Sequence, residues 1–129
     1  MASIFSKIVN GEIPCYKVME DHEFLAFLDI NPLVPGHTLV IPKEEIDYIF
    51  DIEDALLSRL HVFAKKVANK MDKVLSCERI GVSVIGLEVP HAHIHLIPMN
   101  RVSDMDFSKP KIEMTADAMA RLAEKISKA

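Results

Sequence analysis

The stretch PHAHIHLIP, residues 90–98, places three imidazoles at every second position inside an otherwise apolar run. In extended chain alternate side chains point to opposite faces, so His91, His93 and His95 share one face and Ala92, Ile94 and Leu96 the other. The apolar set predicts a strand packed on a core. The histidine set predicts a lined surface or cleft, and metal binding, catalysis or plain solvation must account for it.

Same-face neighbours on a strand lie roughly 6.6 Å apart, which puts the outer two histidines on the order of 13 Å from each other. One ion cannot gather all three without a bulge. Two of them would need a further ligand, and His37, Glu44 and Glu45 offer themselves without a recognisable metal spacing. Solvation suits a single histidine on a sheet face better than three in strict alternation. Catalysis suits the pattern well: a neutral imidazole is both a nucleophile and an acid or base near pH 7. A cluster around one phosphate supplies an attacking nitrogen together with donors for the phosphoryl oxygens.

Working outward, the chain has 129 residues, half of them hydrophobic, and a net charge of −4 with both signs interspersed. That length predicts one domain, residues 1–129, with a core that needs no staples. The absence of a basic stripe argues against polymeric nucleic acid as a partner. Cys15 and Cys77 form no CxxC pair, which fits buried thiols in a reducing cytoplasm. The opening MASIFSKIVNGEIP lacks the apolar core of a signal peptide, and nowhere do eighteen apolar residues follow one another. A soluble, cytoplasmic protein without a membrane partner is the expectation.

The pattern predicts a short helix over residues 3–9 closed by Asn10-Gly11, and a hairpin of strands 15–20 and 23–29 around Asp21-His22. A Pro- and Gly-containing loop follows over 31–36, then a strand over 37–41 ended by Pro42. Leu56, Leu60, Phe63, Ala64, Val67 and Met71 recur at helical spacing, predicting a long amphipathic helix over 53–75 with Asp51 as N-cap. Strands over 79–86 and 92–97 and a terminal helix over 115–128, with Ala118, Leu122 and Ile126 on one face, complete the chain. Neighbouring strands interrupted by one long helix indicate an α+β fold with a mainly antiparallel sheet.

The segments IFSKIVNGEIP (4–14), LAFLDINPLVPGHTLVIPK (25–43) and VPHAHIHLIPM (89–99) resemble, in order, the histidine triad (HIT) family of nucleotide-binding proteins, whose signature is His-x-His-x-His followed by two apolar residues. The resemblance implies a HIT-like meander sheet that pairs across a homodimer, with no cofactor. It also implies a nucleotidyl hydrolase or transferase in which His93 attacks the α-phosphorus of a nucleotide derivative and water resolves the covalent nucleotidyl-histidine. His91 and His95 would flank the nucleophile and contact phosphoryl oxygens. Asp29 matches the carboxylate that holds the ribose hydroxyls, a task suited to a group that accepts from two O–H donors at once. Ile4, Phe5, Ile8, Ile13, Phe27 and Ile30 match the apolar pocket around the base, although each aliphatic residue could equally serve as core.

Two departures from the family pattern stand out. Many relatives hold a structural zinc with Cys-x-x-Cys, a histidine after IPK and the first triad histidine. Here Ser3, Ser6 and Glu45 occupy three of those places, and hydroxyls are poor zinc ligands beside thiolates. No bound metal is expected. Before the triad, relatives carry an asparagine, a glycine-containing loop and then Gln-Ser or Gln-Thr. Here Ser83, Gly86, Leu87 and Glu88 stand in a shortened stretch, with Glu88 expected to turn to solvent. The leading expectation is an enzyme, a phosphoramidase or hydrolase acting on purine nucleoside phosphoramidates or dinucleoside polyphosphates. The alternative is a nucleotide-binding regulatory module with little turnover, and a metal hydrolase is the third reading.

Overall fold

The computed structural model describes residues 2–129. A short helix α1 (Ile4–Val9) leads into strands β1 (Lys17–Glu20), β2 (Phe24–Leu28) and β3 (Thr38–Pro42). The long helix α2 (Asp54–Val74) follows, then β4 (Arg79–Ser83), β5 (Ile94–Met99) and the terminal helix α3 (Ala116–Ser127). The five strands form one sheet in the order β1-β2-β3-β5-β4, with every pair antiparallel. The fold is thus α+β with a largely meandering antiparallel sheet, as the patterning predicts.

The β1–β2 turn forms because the Asp21 carboxylate accepts from the backbone N–H groups of Glu23 and Phe24, both at 2.8 Å. The turn before β3 needs Gly36, whose φ is +93° and whose position leaves no room for a side chain: a Cβ there would lie 2.7 Å from Leu75 Cδ1.

Strands β2 and β3 are buried along their whole length, because both faces of the sheet are covered. On one face Phe24, Ala26, Leu28, Val40, Ile94 and Leu96 pack on Leu60, Phe63, Val67 and Met71 of α2 and on Met119, Ala123 and Ile126 of α3. Each fully buried Val, Leu, Ile, Phe or Met among them contributes about 1.5–3 kcal/mol. On the other face Leu25, Phe27, Leu39 and Ile41 pack on Phe5 of α1. Six residues of helix cannot cover a five-stranded sheet, and this thinly roofed face is where a cleft opens.

Several expected boundaries shift. Asp51 is not the N-cap of α2; it ends a 3-10 turn over Ile49–Asp51, and Glu53 holds the N-cap position without a side-chain bond. The strand expected over 79–86 stops at Ser83, and Gly86 adopts a φ of +73° that breaks extended pairing. Strand β5 begins at Ile94, so His91 and His93 lie in the irregular approach to it, behind Pro90. The buried face of α3 is Met119, Ala123 and Ile126, with Ala118 and Leu122 only partly covered. Cys15 and Cys77 are free but half-buried rather than buried.

Candidate functional site

A cavity of about 360 Å³ opens on the sheet face roofed by α1. Phe27 of β2, Leu39 of β3 and His95 of β5 form its inner side, the last two because Leu39 and His95 are register partners and therefore share a face. Ile4, Phe5, Ile8 and Ile13 supply an apolar wall, and Asp29 and Ile30 stand at the end of β2. All seven residues expected around a nucleotide thus line one cavity. Ile30 and Ile4 are 68% and 48% exposed, which separates them from the buried core.

His93 and His95 line the cavity; His91 does not. Both His91 ring nitrogens are engaged elsewhere. Its Nε2 lies 2.7 Å from the Pro42 carbonyl oxygen, which only accepts, so Nε2 carries the proton. Its Nδ1 then accepts from the Ser3 hydroxyl at 2.9 Å. The backbone carbonyl of His91 in turn accepts from His93 Nδ1 at 2.8 Å. In the neutral ring that bond places the proton on Nδ1 and leaves the lone pair on Nε2, which has no hydrogen-bond partner among the described residues. Phe5 buttresses the ring edge-on, 5.0 Å between centroids.

The third imidazole is set by a relay. The Leu33 backbone N–H donates to His37 Nδ1 (3.1 Å), so the proton of neutral His37 sits on Nε2, which donates to His95 Nδ1 (2.9 Å). His95 is left with its proton on Nε2. The His93 and His95 rings meet edge to face, 4.9 Å apart, so the cavity presents one bare ring nitrogen beside one ring N–H donor. Burial, joined by the charge of neighbouring cationic groups, lowers the pKa of His37 to about 4 and of His95 to about 3. Burial lowers that of His91 too, partly offset by its bond to the Pro42 carbonyl. All three are therefore neutral at pH 7.

Burial raises the pKa of Asp29. Its Oδ1 accepts from the Asn31 N–H (2.9 Å), while Oδ2 takes no hydrogen bond among the described residues and lies 3.6 Å from His37 Nε2. Asp29, His37 and His95 bring ligand atoms within 4.8 Å of one another, the one such grouping among the described residues. Metal binding there would require His37 Nε2 to give up its proton, turning Nδ1–H against the Leu33 N–H.

A HIT domain family model matches residues 10–102. The chain belongs to the HIT domain family. An uncharacterized HIT-like protein of Borreliella burgdorferi is 38% identical, covering 96% of this chain and 95% of its own. The adenosine 5'-monophosphoramidase of Schizosaccharomyces pombe is 35% identical over 98% and 97%. The crystal structure of a HIT-like protein from Bartonella henselae superposes with a TM-score of 0.84 at 31% identity, covering 98% and 94%.

Within this HIT fold, the four positions at which zinc would sit do converge, but as a closed hydrogen-bond cluster. Ser3 N–H and Ser6 O–H both donate to Glu45 Oε1 (2.6 and 2.7 Å), and the Ser3 hydroxyl donates to His91 and accepts from Ser6 N–H (3.0 Å) as the N-cap of α1. The hydroxyls spend protons where thiolates would offer lone pairs, and the His91 lone pair is taken. The donor set does not fit a zinc ion. These bonds, led by the Ser3 N–H, hold the Glu45 carboxyl down at about 2.

The loop before the triad forms another side of the cavity through Ile85, Gly86, Leu87, Glu88 and Val89. Leu87 is 88% exposed, and Glu88 is exposed at the rim, so it faces solvent and the cavity mouth together. Ser83 is the register partner of His95, and its Oγ is buried without a partner.

Sequence reasoning weighed His37 only as a metal ligand and missed its part in the relay; its place beside the Pro-Gly turn was the available signal. It missed Phe107 and Lys111 altogether. Both line the cavity from an irregular segment with no periodicity to flag them.

Proposed function

We propose that this HIT protein is a nucleotidyl hydrolase acting on purine nucleoside phosphoramidates or dinucleoside polyphosphates. The carrying observation is His93: Nδ1 tied to the His91 carbonyl, Nε2 bare at the cavity. The His93 Nε2 lone pair attacks the α-phosphorus, a P–N bond forms, and the bond to the leaving group breaks with its electron pair passing to that group, an amine taking up a proton from water as it departs. His95 Nε2–H donates to a phosphoryl oxygen as negative charge grows there. Water then attacks the same phosphorus, releases the nucleoside monophosphate and restores His93. His91 acts through its carbonyl, which orients His93, rather than by touching phosphate.

The base lies among Ile4, Ile8, Ile13, Phe5 and Phe27, and Asp29 Oδ2 accepts from the ribose hydroxyls. The phosphoramidase activity of the fungal relative supports this substrate class. Strand β4 forms a sheet edge, with Val82, Val84 and Ile85 of this edge and its continuation 59%, 39% and 44% exposed. An apolar open edge of this kind fits pairing with a second copy into a homodimer. No helix among the described residues is long and apolar enough to cross a membrane.

The test is incubation with adenosine 5'-phosphoramidate and intact-mass detection of an adenylylated protein without acid quench. The wild type should carry a transient adenylyl adduct that His93→Asn lacks while still binding AMP. A His93→Asn protein that forms the adduct overturns the assignment. Leu87 and Glu88, where the family pattern has an amide and a hydroxyl, favour a second reading as a nucleotide sensor with little turnover. AMP binding without adduct or turnover would select it.

A further inference from the structure

Between the 3-10 turn Val102–Met105 and α3, residues 106–115 run beside the cavity, which Phe107 and Lys111 line, outside the stretch matched by the HIT domain model. Two contacts seat this segment. The Ile112 N–H donates to the Pro32 carbonyl (2.9 Å), in the loop that follows Asp29. The Phe107 ring stands edge-on to His95, 4.8 Å between centroids, and 6.1 Å from His37. Lys111 is thereby carried to the cavity mouth on the His95 side.

Lys111 is the one Lys or Arg among the described residues lining the cavity, whose carboxylates are Asp29 and Glu88. His95 and His37, on the side of the cavity where Phe107 sits, are held neutral at pH 7 by burial and bring no positive charge. A nucleotide phosphate entering the cavity would meet the carboxylates of Asp29 and Glu88, and Lys111 is the one ammonium placed there to balance them. The Lys111 ammonium is exposed and held by little: it donates to the Phe107 carbonyl (3.0 Å) and lies 5.8 Å from the centre of that ring. A flexible stem with three donors can leave a neutral carbonyl for an anion at small cost.

We infer that Lys111, positioned by the Phe107–His95 contact and the Ile112–Pro32 bond, is the phosphate-binding cation of this site and makes the cavity select phosphorylated nucleosides over free ones. This rests on the nucleotide reading above. It assigns Lys111 the phosphate contact for which Leu87 and Glu88 have no suitable donor.

The experiment is calorimetric titration of the full chain with AMP and with adenosine. Wild type should bind AMP more tightly than adenosine, with an affinity that falls as salt rises. Lys111→Gln should weaken AMP about tenfold, leave adenosine unchanged and flatten the salt dependence, while Lys111→Arg keeps most of the AMP affinity. Lys109→Gln, two residues away and outside the cavity, should change nothing. Equal AMP affinity in wild type and Lys111→Gln overturns the inference and leaves the nucleotide reading standing. Parallel loss of AMP and adenosine also overturns it, because Lys111 would then only hold the segment in place. Failure of the wild type to bind either ligand overturns the nucleotide reading itself, and this inference with it.

Discussion

His37 Nε2 lies 2.9 Å from His95 Nδ1, with the Leu33 N–H on the far nitrogen of His37. This pair decides on which nitrogen the second cavity histidine carries its proton. A backbone donor that cannot change its role thus sets, through two rings, which nitrogen of a cavity-lining histidine carries the proton.

His37→Phe should therefore leave His95 Nδ1 without its donor and release the tautomer. Removing one partner of a buried hydrogen bond costs about 1–3 kcal/mol, so the melting temperature should fall. The adenylylation rate should drop about tenfold or more, with AMP affinity little changed. Nitrogen NMR of the imidazoles should show His95 protonated on Nε2 in wild type and mixed in the variant; an unmixed His95 in the variant would refute the relay.

Acid stability follows from the same pair. Folded-state values of about 4 for His37 and about 3 for His95 lie below the ordinary 6.5, so the unfolded chain binds protons first. Their contribution is present above pH 6.5 and is lost as pH falls toward 4 and then 3, on the order of 3 kcal/mol from His37 alone by pH 4. Glu45, held at about 2 by exposed hydrogen bonds, has the same sign over the window from 4.5 to 2. Urea midpoints measured from pH 7 to pH 4 should decline steeply, and the His37→Phe protein should show a shallower decline. An equally steep decline in the variant would count against His37.

The hydrogen-bonded cluster of Ser3, Ser6, Glu45 and His91 predicts that a chelator leaves the melting temperature unchanged. Its geometry also predicts that the triple change Ser3→Cys, Ser6→Cys, Glu45→His creates a tetrahedral zinc site with His91. One zinc per chain and a melting temperature that now depends on chelator are the expected results. Stoichiometric zinc in the unmodified protein, or none in the triple variant, would show the cluster to be arranged otherwise.

Glu88 stands exposed at the mouth, where water screens its charge. Glu88→Gln should keep the pH profile of phosphoramidate turnover and lower KM a few-fold by removing a negative charge near the phosphate. Loss of a basic limb together with a large fall in kcat would make Glu88 a proton donor instead.

Gly36→Ala places a methyl group against Leu75 Cδ1 at a φ of +93°. The strain should cost about 1–3 kcal/mol, read as a shift of the urea midpoint. Because His37 is the next residue, the His95 tautomer should also become less uniform by NMR. A neutral effect would mean that the turn tolerates a left-handed alanine.

The sequence by itself determined the α+β class, the long helix, the two-faced strands and the family, because hydrophobic period and the spacing of His91, His93 and His95 are local properties of the chain. It also named the apolar cavity wall and Asp29, through segments that stay contiguous in sequence. It misplaced the N-cap of α2 and the start of β5, since Pro90 and a 3-10 turn override local preference there. The division of labour among the histidines was a tertiary decision. His91 is turned from the cavity by the Pro42 carbonyl and Ser3, partners 49 and 88 residues away in sequence, and His95 takes its tautomer from His37, 58 residues away. Lys111 and Phe107 reach the cavity because the Ile112–Pro32 bond and the Phe107–His95 ring contact seat an aperiodic segment beside it. Proton placement and charge balance depend on distances between remote atoms, and no periodicity along the chain encodes them.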